Sequence, residues 1–159
     1  SESGDRFKKL VAPSLKYTDY CIINELETQQ TTGVTLRDED GTLHIENMKV
    51  ALKKLHELGV STWDVIHCPE IGCGMDADGN YHEFKSLKLP KDYIKGTVGA
   101  GDAFCAGVLY AAERGKALPE ALKLGVCAAA ASLGEVGASA GVKTVDEVLK
   151  LYNMYKTEL

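Results

Sequence analysis

Short apolar runs alternate with helix-like patterns along this 159-residue chain, and that alternation limits the possible fold more than any other feature. The segments YCIIN (20–24) and WDVIH (63–67) have the length and composition of buried strands. Between them, residues 45–58 repeat apolar residues at helical spacing, and the repeat ends before Gly59. The predicted apolar face of this helix consists of Ile45, Met48, Leu52, Leu55 and Leu58. A strand, a helix and a second strand in this order predict an α/β protein with helices flanking a sheet.

The remaining patterns predict one antiparallel hairpin and four further helices. The hairpin covers residues 73–85, because Asp78-Gly79-Asn80 supplies residue types that tolerate the positive φ of a tight turn. The predicted helices are residues 5–16, interrupted near Pro13, and residues 102–114, 119–133 and 144–155. Thr144 and Glu147 have the spacing of a capping box at the start of the last helix.

Composition and charge exclude several classes of protein. The length fits a single domain, residues 1–159. The net charge is −5 and the 18 basic residues are scattered, so we expect no nucleic-acid partner. No apolar run reaches the roughly 20 residues that a membrane span requires, and the N-terminus has no signal-peptide core. We therefore expect no membrane association and a cytoplasmic location, with the five cysteines present as free thiols.

The segment GTVGAGDAFCAG (96–107) carries the strongest chemical signal. A glycine-rich turn that enters a helix directs several backbone N–H groups at one point, where the helix dipole also favours negative charge. Gly99, Ala100 and Gly101 are therefore a candidate anion hole. Asp102, next to them, is a candidate general base that would accept the proton of an attacking hydroxyl. The simpler interpretation is that Asp102 only caps the helix that follows.

This segment resembles the DTxGAGDxFxxG signature of the ribokinase-like (PfkB) carbohydrate kinases. Thr97 and the GAGD core match it, whereas Gly96 stands where the family usually has Asp. The segment INELE (23–27) is similar to the NxxE motif of that family, with Asn24 and Glu27 at the matching positions. The resemblance implies that this pair organises Mg²⁺ and its waters around the nucleotide phosphates.

The resemblance covers nearly the whole chain but only the C-terminal, ATP-binding and catalytic part of the family fold. It implies a ribokinase-like three-layer (Rossmann-like) α/β sandwich, ATP and Mg²⁺ as cofactors, and Asp102 as the catalytic base. It also implies nucleotide contacts for Asn24, Gly72, Thr97 and Cys127. The alanine-rich segment and the Gly-Ala loop within residues 124–141 resemble the wall of the adenine site, although tight helix packing accounts for the same alanines.

The family half that carries the lid and most sugar contacts has no counterpart in this sequence. We therefore expect a C-terminal fragment of an ATP-dependent sugar kinase, which would transfer the γ-phosphoryl group to a carbohydrate hydroxyl and would be inactive by itself. An incomplete sheet would expose an edge, so we expect self-association, as a homodimer. The small-molecule sugar would bind in the full-length protein.

Two alternatives to a sugar kinase stay open. One is a nucleoside or vitamin-precursor kinase of the same superfamily. The other is a non-catalytic nucleotide-binding or structural module. Pro69 favours the second alternative, because it replaces a glycine of the family's phosphate turn and has no N–H to donate.

Overall fold

The computed structural model describes residues 2–137 and 143–156, with side chains from residue 6 onward. Its strands are β1 (Tyr20–Asn24), β2 (Trp63–His67), β3 (Ile71–Met75) and β4 (Tyr81–Lys85). Its α-helices are α1 (Glu2–Val11), α2 (Glu25–Thr32), α3 (Met48–Glu57), α4 (Ala100–Glu113), α5 (Leu118–Leu133) and α6 (Val145–Tyr155). Short 3₁₀ helices span Ala12–Tyr17 and Ile45–Asn47. None of the helices in the described ranges has the length and apolar character that crossing a membrane requires.

The described residues form two compact units. Those within 1–68 and 73–82 make up one, here called the N-terminal unit, and those within 69–72 and 83–159 make up the other, the C-terminal unit. The strand order of the sheet is β1-β2-β3-β4. The pair β1 and β2 is parallel, with Tyr20 opposite Trp63 and Asn24 opposite His67. This arrangement of strands and helices confirms the predicted α/β class.

The predicted hairpin is confirmed as β3 and β4. These neighbouring strands are joined only by residues 76–80, and such a short connection requires an antiparallel pair. Asp76 organises the turn: its backbone N–H donates to the carbonyl of Asn80 at 3.1 Å. Its carboxylate accepts the backbone N–H groups of Asp78 at 3.0 Å and Asn80 at 2.9 Å.

Two of the predicted α-helices are partly 3₁₀ helix in the structure, whereas the other three agree with α4, α5 and α6 to within two residues at each end. The predicted helix 5–16 is α1 followed by a 3₁₀ turn, because Pro13 has no N–H to continue the α-helical ladder. The predicted helix 45–58 begins as a 3₁₀ turn, so Ile45 is 44% exposed instead of joining the apolar face. Gly59 ends this segment as predicted, at φ 115°. A Cβ there would lie 2.7 Å from the Cα of Lys16, so only glycine fits.

The C-terminal unit is built on an antiparallel contact between α4 and α5. The N–H of Lys95, just before α4, donates to the carbonyl of Leu133 at the end of α5, at 2.9 Å. Further along, a Cβ on Gly107 would lie 3.0 Å from the Cα of Gly125, so these glycines bring the two helix backbones together. The predicted capping box before α6 is confirmed, because the N–H of Thr144 donates to the Glu147 carboxylate at 2.9 Å.

Candidate functional site

The GAGD segment forms the start of α4. Gly99 is the N-cap residue, at φ 86° and ψ −2°, a left-handed conformation that glycine adopts without steric cost. The first helical hydrogen bond runs from the N–H of Ala103 to the carbonyl of Gly99 at 2.9 Å. The N–H groups of residues 100–102 precede that bond and have no carbonyl one turn earlier to receive them. No side chain of the described residues caps this helix, so its amide donors stay open to an anion.

The interpretation of Asp102 as a helix cap is wrong. The cap position belongs to Gly99, and Asp102 is exposed in the first turn of α4. Among the described residues, none forms a hydrogen bond or an ion pair with its carboxylate. Burial raises the pKa of the Cys105 thiol, and the nearby charge of Asp102 raises it further. The fold therefore makes no use of the carboxylate of Asp102, which is free to act on a ligand.

Asp102 and Gly99 line a cavity of about 380 Å³ within the C-terminal unit. Its volume lies in the range of small-molecule sites, roughly 300–1,000 Å³. The walls come from α4, α5 and the start of α6, and most of the lining residues are small or apolar. The other lining residues are Ala103, Ala106, Gly107, Tyr110, Leu124, Ala128, Ala131, Ser132, Lys143, Val145 and Val148. The described part of the lining thus combines an apolar body with one carboxylate, one ammonium group and an open helix N-terminus.

Ser132 is a lining residue that the sequence did not single out. It is 7% exposed, and its Oγ has no hydrogen-bond partner within the described residues. Helical hydroxyls usually bond to the carbonyl four residues earlier, as Thr28 and Thr32 do here at 2.7 and 2.8 Å. A buried hydroxyl without such a bond is costly and calls for a partner that the described residues do not provide.

Asn24 and Glu27 form a capping box at the start of α2. The N–H of Glu27 donates to Asn24 Oδ1 at 2.8 Å, and the N–H of Asn24 donates to Glu27 Oε2 at 3.0 Å. The second carboxylate oxygen, Oε1, has no hydrogen bond within the described residues. Both side chains are half-buried. The pair belongs to the N-terminal unit, whereas the GAGD segment and the cavity belong to the C-terminal unit.

These oxygens fit Mg²⁺, which prefers oxygen ligands and keeps several waters when few carboxylates hold it. Within the described ranges, no group of three or more His, Cys, Asp or Glu side chains could enclose a metal ion. A cation held by Asn24 and Glu27 would therefore be bound mainly through water.

An ion pair that the sequence did not reveal fixes the first turn of α2. Arg37 Nε donates to Glu25 Oε1 at 2.8 Å, and the side chains are 17% and 10% exposed. The Gln29 side-chain carbonyl accepts the N–H groups of Leu36 at 2.8 Å and Arg37 at 3.2 Å. The loop after α2 is thus bound to the helix that carries Glu27. Twelve residues separate Glu25 from Arg37, so no helical or strand periodicity links them.

The resemblance implies nucleotide contacts for Gly72 and Cys127, and these contacts stay predictions. Gly72 is the second residue of β3 and is buried. A Cβ there would lie 2.6 Å from the ring of Phe104, so packing explains this glycine. Cys127 is fully buried and is not among the described residues that line the cavity. Burial, the main cause, raises the pKa of its thiol to about 11.

Thr97 is exposed two residues before Gly99, and its nucleotide contact stays a prediction. Of the predicted adenine wall, Leu124, Ala128 and Ala131 line the cavity. The Gly-Ala loop is only partly described, since residues 138–142 lie outside the described ranges.

Residues 1–145 match the pfkB family of carbohydrate kinases, and the chain belongs to this family. It is 28% identical over 127 residues to adenosine kinase of Schizosaccharomyces pombe, covering 75% of this chain and 35% of that protein. It is 29% identical over 143 residues to ribokinase of Haemophilus influenzae, covering 86% of this chain and 41% of that protein. The structure of Arabidopsis thaliana ribokinase complexed with ribose and ATP matches with a TM-score of 0.71 and 25% identity, over 86% of this chain and 41% of that one.

The chain therefore spans less than half the length of these relatives. The expected ribokinase-like α/β fold is confirmed by the structural match.

Proposed function

We propose that this chain is the ATP-binding and catalytic part of a kinase that transfers the γ-phosphoryl group of ATP to a carbohydrate hydroxyl. One observation carries the proposal: the exposed carboxylate of Asp102 has no bond within the described protein and lies beside open helix amides at a small-molecule cavity. Membership of the pfkB family supports phosphoryl transfer. The match to a ribokinase complexed with ATP supports the nucleotide.

In this proposal, Asp102 accepts the proton of the attacking hydroxyl. The N–H groups at Gly99, Ala100 and Gly101 stabilise the charge on the transferring phosphoryl group. Phosphoryl transfer requires little beyond positioning and charge stabilisation, so an anion hole with an adjacent base supplies its essential parts. A positioned base contributes about 10²- to 10⁴-fold in rate.

Mg²⁺ is proposed as the second cofactor, with Asn24 and Glu27 holding it through water. Bound Mg²⁺ would neutralise part of the phosphate charge. The capping box fixes both side chains in place, which supports this role because neither has to be ordered on binding. Thr97, Gly72 and Cys127 are proposed to contact the nucleotide, Thr97 from an exposed position and the other two from buried ones.

The acceptor is proposed to be a small sugar, and a nucleoside is the second candidate. The adenosine kinase among the relatives favours the nucleoside, and the ribokinase favours the free sugar. Turnover with ribose, other sugars, adenosine and vitamin precursors compared side by side separates these acceptors.

The test of catalysis uses the product of the natural reading frame that contains this sequence. Asp102→Asn should lower turnover by about 10²- to 10⁴-fold and leave ADP affinity unchanged. Asp146→Asn is the matched control, because Asp146 is an exposed acid in the first turn of α6 and is not among the described cavity residues. Unchanged turnover in Asp102→Asn would remove Asp102 from its role as base.

We further propose that the 159-residue chain alone has little activity and forms a dimer. β1 is the end strand in the sheet order, so its outer edge can pair with another chain. Two large apolar side chains in this region are exposed, Tyr20 at 39% and Leu26 at 51%. Light scattering over a range of concentrations tests the dimer, and a monomer at all of them would contradict it.

The alternative, a non-catalytic nucleotide-binding module, is favoured by Pro69. This exposed residue lies between β2 and β3 and has no N–H for a phosphate. ATP binding without turnover of any acceptor would support the alternative.

A cytoplasmic location is also proposed, because Cys21, Cys105 and Cys127 are free thiols, as expected in a reducing compartment. Cell fractionation would test it.

A further inference from the structure

Tyr110 lies at the far end of the cavity from the anion hole. Asp102, Ala106 and Tyr110 are spaced four residues apart on α4, so they share one helical face, and all three line the cavity. Eight residues of α-helix separate Asp102 from Tyr110, a span of about 12 Å. This span exceeds that of a lone phosphate and accommodates a phosphate chain with its sugar.

The surroundings of Tyr110 are apolar on the side of the cavity. Leu124 and Ala128 line the opposing wall on α5. The close approach of Gly107 and Gly125 holds these two walls together. The ring is 41% exposed, so a ligand can reach it.

One face of the ring already has a partner outside the cavity. The guanidinium carbon of Arg114 lies 4.9 Å from the centroid of the Tyr110 ring. Tyr110 is among the described residues that line the cavity, and Arg114 is not. A cation on one face of an aromatic ring is compatible with a flat group stacking on the other.

We propose that Tyr110 contacts the nucleobase and determines the specificity of the site for nucleotides over ligands that carry only phosphates. This inference rests on the proposed function, in which the phosphates of ATP lie at the GAGD end. The base then extends along α4 toward Tyr110, where stacking on the ring supplies affinity that the phosphates alone do not have. A purine presents more ring surface to the tyrosine than a pyrimidine, so ATP and GTP bind more tightly than CTP.

The test is calorimetric binding of ATP and of inorganic tripolyphosphate to the product of the natural reading frame. Tyr110→Ala should weaken ATP binding about tenfold, the scale of one lost base-aromatic contact, and leave tripolyphosphate binding unchanged. Tyr110→Phe should retain ATP binding, because the phenyl ring keeps the stacking surface.

Tyr17→Ala is the matched control. Tyr17 is 81% exposed in the N-terminal unit, and the Nζ of Lys16 lies 4.9 Å from its ring centroid, so the substitution also removes a tyrosine with a cationic neighbour. ATP binding that Tyr110→Ala leaves unchanged would overturn the inference and spare the proposed function. A wild-type protein that binds no ATP would overturn the proposed function and the inference together.

Discussion

The carboxylate of Asp64 lies against the ring of His56, with Oδ2 3.4 Å from Nδ1. Asp64 is fully buried, and neither of its oxygens has a hydrogen-bond partner in the described part of the chain. Burial raises the pKa of Asp64 to about 7. Cys21 faces Asp64 across the parallel pair, and the pKa of its thiol is raised to about 12 by burial and then by the charges of Asp64 and Glu27.

Asp64→Asn should stabilise the protein at alkaline pH. The folded-state pKa of about 7 exceeds the ordinary aspartate pKa of 3.8, so between these values the folded protein holds a proton that the unfolded chain releases. The contribution of protonated Asp64 is therefore complete below pH 4 and is lost as the pH rises toward 7. At pH 8 the variant should be more stable than wild type by up to about 4 kcal/mol. Near pH 4 the two proteins should have the same free energy of unfolding. Urea unfolding at both values measures the difference.

Asp78→Asn, on the exposed hairpin turn, is the control for the loss of one carboxylate. The titratable groups that the structure places against Asp64 are those of His56 and Cys21. The prediction is contradicted if the free energies of unfolding of wild type and Asp64→Asn change in parallel with pH.

His44 should titrate above the ordinary range of histidine. Its Nε2 lies 2.8 Å from Asp38 Oδ2, and its Nδ1 lies 3.0 Å from Glu46 Oε1. Both hydrogen bonds raise the pKa of the imidazole, and the bond to Asp38 has the larger effect. The stabilisation is complete below the unfolded pKa of about 6.5 and is lost as the pH rises through the folded pKa. NMR titration of His44 measures the shift. Asp38→Asn should reduce it, and an identical midpoint in that variant would refute the assignment.

Gly72→Ala should destabilise the C-terminal unit through the ring of Phe104. The new Cβ would lie 2.6 Å from a ring carbon, and overpacking of this kind costs roughly 1–3 kcal/mol. Phe104→Leu should recover part of that cost when combined with Gly72→Ala. Gly79→Ala, in a turn with no atom within 4 Å of the new Cβ, should be additive with Phe104→Leu. Denaturant unfolding of wild type, the three single variants and the two double variants gives both coupling free energies, and a value of zero for Gly72 with Phe104 would be the contrary result.

Asn24→Ala should destabilise α2 by about 1 kcal/mol, because it removes the side chain that accepts the N–H of Glu27. Asn153→Ala, at an exposed position within α6, should change the free energy of unfolding by less than about 0.5 kcal/mol. Thermal unfolding compares the two variants, and equal midpoints would argue against the capping role.

The features that the sequence predicted correctly depend on residues that are close together in the chain. The strands at 20–24 and 63–67, the hairpin at 73–85 and the capping box of Thr144 with Glu147 all follow local rules of periodicity, turn chemistry and capping, and all are present. The GAGD segment was recognised for the same reason, since its glycines and helix start are contiguous in the chain.

Features that depend on how helices pack were not predicted. Tyr110 and Ser132 become cavity residues only because Gly107 and Gly125 let α4 and α5 approach each other. The resemblance implies a nucleotide contact for Cys127, which stays a prediction, and only the packing of α5 shows that this residue lies in the core. The pairing of Glu25 with Arg37 is likewise set by the path of a loop that no local pattern encodes.

The reciprocal bonds between Asn24 and Glu27 have a consequence for comparing related sequences. Because the two residues keep α2 folded, selection for a stable protein preserves them even in a descendant that no longer performs any reaction. The side chain of Asp102 forms no bond within the described residues. Selection for stability would therefore not preserve it in such a descendant. In the proposed function, replacement of Asp102, and not of Asn24 or Glu27, would therefore mark the relatives that have lost the reaction.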